Sequence, residues 1–135
     1  MQDFKHIEAW RRGRALAIAI TRATEDYGRR GYGYLRIQLV KAADAISANI
    51  AEGCGAATNK EFARFLDISI KSANETEHRL LDARDLGLMP QDEWERFTAE
   101  TIEVRKMTYG YRKKVLENDL KNRTKKQRKK KSPDT

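Results

Sequence analysis

The sequence predicts an all-α protein, an antiparallel up-down-up-down four-helix bundle, and three observations carry that prediction. Four segments repeat apolar residues at steps of three and four; the 2 Pro and most of the 8 Gly fall outside them; and no stretch alternates apolar and polar residues as a half-buried strand does. A length of 135 residues supports one domain with a modest core.

The first helix is predicted over His6 to Tyr27, where Ile7, Trp10, Leu16, Ile20, Ala23 and Tyr27 share one face. Residues 15–20 are apolar at every position, which asks for cover on more than one side and points to an oligomer. Gly28, Gly31 and Gly33 place three glycines in six residues, too much backbone freedom for a helix, so Asp26 to Gly33 reads as a loop. Leu35, Leu39, Ala42, Ile46 and Ile50 define the second helix, which Gly53-Cys54-Gly55 ends. Thr58-Asn59-Lys60-Glu61 has the form of a capping box and opens the third, whose face is Phe62, Leu66, Ile70, Ala73 and Leu80. Leu86-Gly87-Leu88 reads as its glycine C-cap, and Pro90 reinforces the stop. Trp94, Phe97, Thr101, Val104, Thr108, Tyr111 and Val115 form the seam of a fourth helix expected from about Gln91 to about Asp119. Connections of roughly two to eight residues then set the up-down-up-down order.

Charge divides the chain. Residues 121–135 hold 8 basic side chains and 1 acid, whereas residues 1–120 hold 20 basic and 19 acidic, so the overall +8 lies mostly in the tail. That tail contains no apolar residue and is expected to be disordered, giving a bundle domain over 1–120 and a basic tail over 121–135. No apolar run reaches the roughly 20 residues that span a bilayer, and a lone cysteine, Cys54, leaves no internal disulfide, so a cytoplasmic protein with no membrane role is expected.

Catalysis requires a nucleophile beside a base or paired titratable groups; a pairing of Cys54 with His6 or His78 has no support from neighbouring residues, and both histidines read as surface residues. Glu75-Thr76-Glu77-His78 contains the Glu-x-x-His spacing of carboxylate-bridged metal bundles, but the full site needs a second such motif and two further Glu. Asp3-Phe4-Lys5-His6 is a weak partner, lying before the first helix. No catalytic residue, metal or cofactor is assigned, and a metal-bundle enzyme ranks third among the functions considered.

The string Ala45-Ile46-Ser47-Ala48-Asn49-Ile50-Ala51-Glu52-Gly53, with Lys60-Glu61-Phe62, Arg64-Phe65-Leu66, Glu75, Glu77 and Leu86-Gly87-Leu88, resembles the bacterial 23S rRNA intervening-sequence proteins. The likeness runs from about Phe4 to about Leu116, and Asn49 to Gly53 is its most specific piece. It implies a homopentamer of four-helix bundles, related to the accessory variability proteins of diversity-generating retroelements, which bind nucleic acid and a reverse transcriptase. The motif residues Asn49, Glu52, Gly53, Glu75 and Glu77 are read as structural: Asn49, flanked by the core-facing Ile46 and Ile50, as fixing register, and Glu75 and Glu77, in place of a metal role, as bonding between helices or subunits. Ser47 stands where that family usually carries proline, so the resemblance carries no kink to this position.

Basic side chains supply the remaining functional signal. Arg11, Arg12 and Arg14 crowd the first helix, and Arg29 and Arg30 sit in the following loop. Lys121, Arg123, Lys125, Lys126, Arg128, Lys129, Lys130 and Lys131 form a block dense enough to hold phosphates without sequence preference. The reading is a non-enzymatic, homopentameric accessory protein that binds nucleic acid, RNA ahead of DNA, with a reverse transcriptase as a candidate partner. A protein-interaction adaptor is the alternative.

Overall fold

The computed structural model describes residues 2–131, and their regular structure is a 3₁₀ turn at Phe4–His6 followed by four helices, with no strand among the described residues. The helices are α1 (Glu8–Ala23), α2 (Gly33–Cys54), α3 (Asn59–Asp85) and α4 (Gln91–Lys131).

Local chemistry sets most boundaries. Thr58 caps α3, its Oγ1 accepting from the Glu61 amide at 3.1 Å. At the other end Gly87 takes φ 72°, open to glycine without strain, while the Leu88 amide donates to Ala83 and the Gly87 amide to Arg84. That is a Schellman stop, with Leu88 buried behind it. Helix α1 ends at Ala23, earlier than its apolar spacing predicts. Tyr27, only 1% exposed, enters the core from the turn after the helix, so a ring outside the helix happens to continue the pattern. Helix α2 passes through Ser47 unbroken.

The largest departure is in α4. Disorder was expected from Lys121, yet the helix continues to Lys131. Lys, Arg and Gln are strong helix formers, propagation onto an existing helix adds one hydrogen bond per residue, and no glycine or proline intervenes before Pro133. Cations near the C-terminal end also complement the helix dipole, as Asp92 and Glu93 do in the first turn. The part of the disorder expectation that covers 132–135 lies outside the described residues, as do the side chains of Lys130 and Lys131.

The core is layered along the bundle. One end layer joins Ile7 and Ala9, Ile50 and Cys54, Phe62 and Leu66, and Val115. Ile46, Ala73 and Val104 make the middle. The other end joins Leu16 and Ile20, Leu35 and Leu39, Leu80 and Ala83, with Trp94 and Phe97 packed against it. Each fully buried aliphatic side chain removes apolar area worth about 1.5–3 kcal/mol. Four buried threonine hydroxyls are satisfied locally: Thr24, Thr76, Thr101 and Thr108 donate to the carbonyl four residues back at 2.7–2.9 Å. Ser69 instead crosses between helices, donating to the Ile46 carbonyl at 2.7 Å.

Candidate nucleic-acid interface

The predicted arginines do not converge. Arg12 forks onto Glu100 of α4, its Nε donating to Oε2 at 3.1 Å, and this hydrogen bond, more than any other influence, raises its pKa. Arg11 pairs with Glu8 and donates to the Lys5 carbonyl at 3.1 Å. Arg30 donates to the carbonyls of Leu88 at 3.1 Å and Gly87 at 3.4 Å, pinning its loop onto the C-cap of α3. Three of the five are thus held by intramolecular partners. Arg14, over the Trp10 ring at 5.8 Å, and Arg29 make no ion pair among the described residues. Arg29 and Arg30 lie in the turn after α1, beside the start of α4, so roughly 45 Å of helix separates them from Lys121.

Helix α4 concentrates the charge. Residues 91–104 carry five acids and one arginine; residues 105–131 carry thirteen Lys or Arg and two acids. Lys121, Arg123, Lys125, Lys126 and Lys129 are exposed over rather more than half the circumference of the extension, and Arg123 pairs with Asp119 one turn back at 3.2 Å. Arg128 is also exposed. Sequence reasoning missed the neighbours of this end. Lys60 and Arg64, on the first turns of α3, line an open cleft of about 650 Å³ with Arg112 and Leu116, and Arg112 lies 2.6 Å from Asp67. A second groove joins Thr58 and Asn59 to Asn122, Arg123 and Lys126. Only the packing of α3 against α4 brings these distant stretches together, so no local motif could have marked them.

Of the motif residues of the resemblance, Gly53 and Glu77 meet another helix. Gly53 is buried where a Cβ would stand 2.6 Å from Phe62 Cδ1, so α2 and α3 meet there because residue 53 has no side chain. Asn49 does not bridge helices; its Nδ2 donates to Ala45 of the same helix at 2.8 Å. Glu77 does bridge, accepting from Arg105 of α4 at 2.6 Å, and the same guanidinium nitrogen donates to Asn74 at 2.9 Å. Glu52 and Glu75 are exposed, and neither carboxylate makes a hydrogen bond among the described residues. His78 lies 3.9 Å from Asp82, His6 lies 3.6 Å from Asp3, and no three His, Cys, Asp or Glu side chains gather as a metal site among the described residues. No described helix is long and apolar enough to cross a membrane.

Fold and surface together define a four-helix-bundle protein whose last helix runs from an acidic start to a cationic end. The chain belongs to the family of 23S rRNA-intervening sequence proteins, whose model matches residues 5–110. It is similar to a crystal structure of a protein with unknown function from the S23 ribosomal protein family of Bacteroides thetaiotaomicron. The two are 22% identical with a TM-score of 0.73, over 78% of this chain and 98% of that one, a likeness that shows the fold alone. No curated protein matches the chain. The matched span stops at residue 110, so the extension of α4 lies beyond it.

Proposed function

We propose that this chain is a non-enzymatic nucleic-acid-binding accessory protein of the cytoplasm, assembled as a cyclic homopentamer of antiparallel bundles. The observation that carries it is the end of α4, where eight of eleven residues from 121 to 131 are Lys or Arg and every described one is exposed. Such a block meets phosphates without needing a shaped pocket. The core layers support the antiparallel order, because the first turns of α1 and α3 share one layer with the last turn of α2 and with Val115. Two separate apolar patches support ring assembly: Ile18, Tyr34 and Ile37 on α1 and α2, and Tyr109 and Leu120 on α4. A head-to-tail contact needs two different patches, and it closes into a ring when the rotation allows. Ile18, 40% exposed in the single chain, is the large side chain of the apolar segment 15–20 that the bundle itself leaves uncovered, with Ala15 exposed beside it.

Light scattering on the purified protein tests assembly, and monomer mass alone would refute the ring. Fluorescence anisotropy with labelled RNA and DNA in about 50 mM salt tests binding, where polyanion contacts are favoured. Deleting residues 121–135 removes none of the buried core among the described residues and is expected to weaken binding by about tenfold or more, since several extensions on one ring act on one strand together. About five phosphate contacts per extension on a single strand give a log-log salt slope near −3.5. No affinity for any nucleic acid in low salt would end this reading. The acidic first half of α4 then favours the adaptor reading, in which the charged surfaces seat a protein such as a reverse transcriptase.

A further inference from the structure

The extension of α4 is a helix, and that restricts which nucleic acid it suits. We infer that it is a groove-binding element for B-form duplex DNA, seated in the major groove and held by phosphates on both walls. This narrows the proposed nucleic-acid reading and rests on it.

Size comes first. An α-helix with its side chains is about 10–12 Å across, and the B-DNA major groove is about 12 Å wide and 8.5 Å deep, so the one enters the other. The major groove of A-form RNA is too deep and narrow to admit side chains in that way. From Lys121 to Lys131 the helix rises for roughly 16 Å, enough to cross one groove. Its surface is largely open to solvent, since the last buried side chain of α4 is Val115 and residues 121–129 are exposed, with Thr58 and Asn59 flanking only its first turns.

Charge comes second. Eight cations in eleven residues put one positive charge about every 2 Å of helix axis, close to the one phosphate per about 1.7 Å of duplex DNA. Their arrangement suits a groove rather than a flat surface: Lys121 and Lys125 are one turn apart on one side, and Arg123 and Lys126 lie on the opposite side. A helix contacting a single strand, or lying on a duplex from outside, uses one such side and leaves the other in water. Glu117 and Asp119 mark where the footprint ends, because carboxylates there repel phosphates. Within the extension only Asn122, Thr124 and Gln127 are uncharged, so shape and charge dominate the reading over base order.

The test keeps every charge and changes only the helix. Gln127→Pro removes an amide donor and breaks an exposed stretch of helix, while Gln127→Ala keeps it. Full-length protein and both variants are titrated with DNA and RNA duplexes of one sequence and length and with the matching single strands. Wild type and Gln127→Ala are expected to prefer the DNA duplex over the RNA duplex by about tenfold, and Gln127→Pro to bind the two alike. Equal affinity of wild type for both duplexes, tighter binding to single strands, or a preference that survives Gln127→Pro would overturn the groove assignment. Each of those results leaves nucleic-acid binding itself intact. Failure to bind any of the probes overturns both readings.

Discussion

Three glycines inside the helices give a graded test of how closely the helices pack. Replacing glycine by alanine in a helix interior gains about 0.5–1 kcal/mol of backbone entropy, so the sign of each substitution depends on what the new methyl meets. At Gly110 nothing lies within 4 Å, and Gly110→Ala is expected to stabilise by close to the full gain. At Gly13 the methyl would sit 3.3 Å from Ile46 Cγ2 and 3.6 Å from Val104, a contact that needs a shift of a few tenths of an ångström, so gain and crowding nearly cancel. At Gly53 it would stand 2.6 Å and 2.9 Å from two Phe62 ring atoms and 3.0 Å from Phe65 Cβ. The ring has little room to retreat, being 7% exposed and edge-on to Tyr111 at 5.7 Å between centroids. Overpacking of this kind costs about 1–3 kcal/mol, more than the entropy gained, so Gly53→Ala is expected to destabilise by about 1–2 kcal/mol. Urea melts at one protein concentration, with the slope unchanged, read this as a shift in midpoint. Combining Gly53→Ala with Phe62→Leu should cost less than the sum of the two, because the smaller side chain relieves the clash. Wild-type stability for Gly53→Ala, or strict additivity with Phe62→Leu, would refute the close approach of α2 and α3 at this point.

Other substitutions probe separate features. The Tyr27 hydroxyl is buried with no hydrogen-bond partner among the described residues, so Tyr27→Phe should leave stability unchanged or raise it by up to about 1–3 kcal/mol. Burial, aided by Glu93, pushes this phenol up to about 12, against about 10 when unfolded. The stability it contributes is therefore complete below about pH 10 and lost as pH rises towards 12; melts across that window should fall more steeply for wild type than for Tyr27→Phe, and parallel curves would contradict the assignment. Glu77→Ala breaks the bridge to Arg105 and should cost roughly 1 kcal/mol, whereas Glu75→Ala should stay within about 0.5 kcal/mol of wild type; equal effects in thermal melts would remove the distinction. Cys54 is buried, and burial, with Asp3 adding, pushes its thiol up, so a thiol reagent should label it far more slowly in buffer than in urea. Equal labelling rates would place the thiol at the surface.

Four helices and their inward faces are legible in the sequence because each depends on neighbours a few residues apart. Leu35, Leu39, Ala42, Ile46 and Ile50 repeat at the helical period, and all five are buried. Thr58 and Gly87 likewise mark their ends by bonds within one turn. The cationic end is equally plain, since it follows from composition alone; its helical form is not, because a segment without apolar residues carries no burial pattern and takes its helix from the packed one it continues. What only the tertiary structure decided concerns partners far apart in the chain. Along the chain Arg12 and Arg30 read as available cations, yet Glu100 of α4 holds the first and the C-cap of α3 the second. Gly53 looked like punctuation, yet it admits the ring of Phe62. Lys60 and Arg64 join Arg112 only because α3 and α4 pack side by side. Helix period and capping are properties of a few consecutive residues and can be read along the chain, whereas the pairing of a charge or the clearance over a glycine depends on atoms that folding alone brings within a few ångströms.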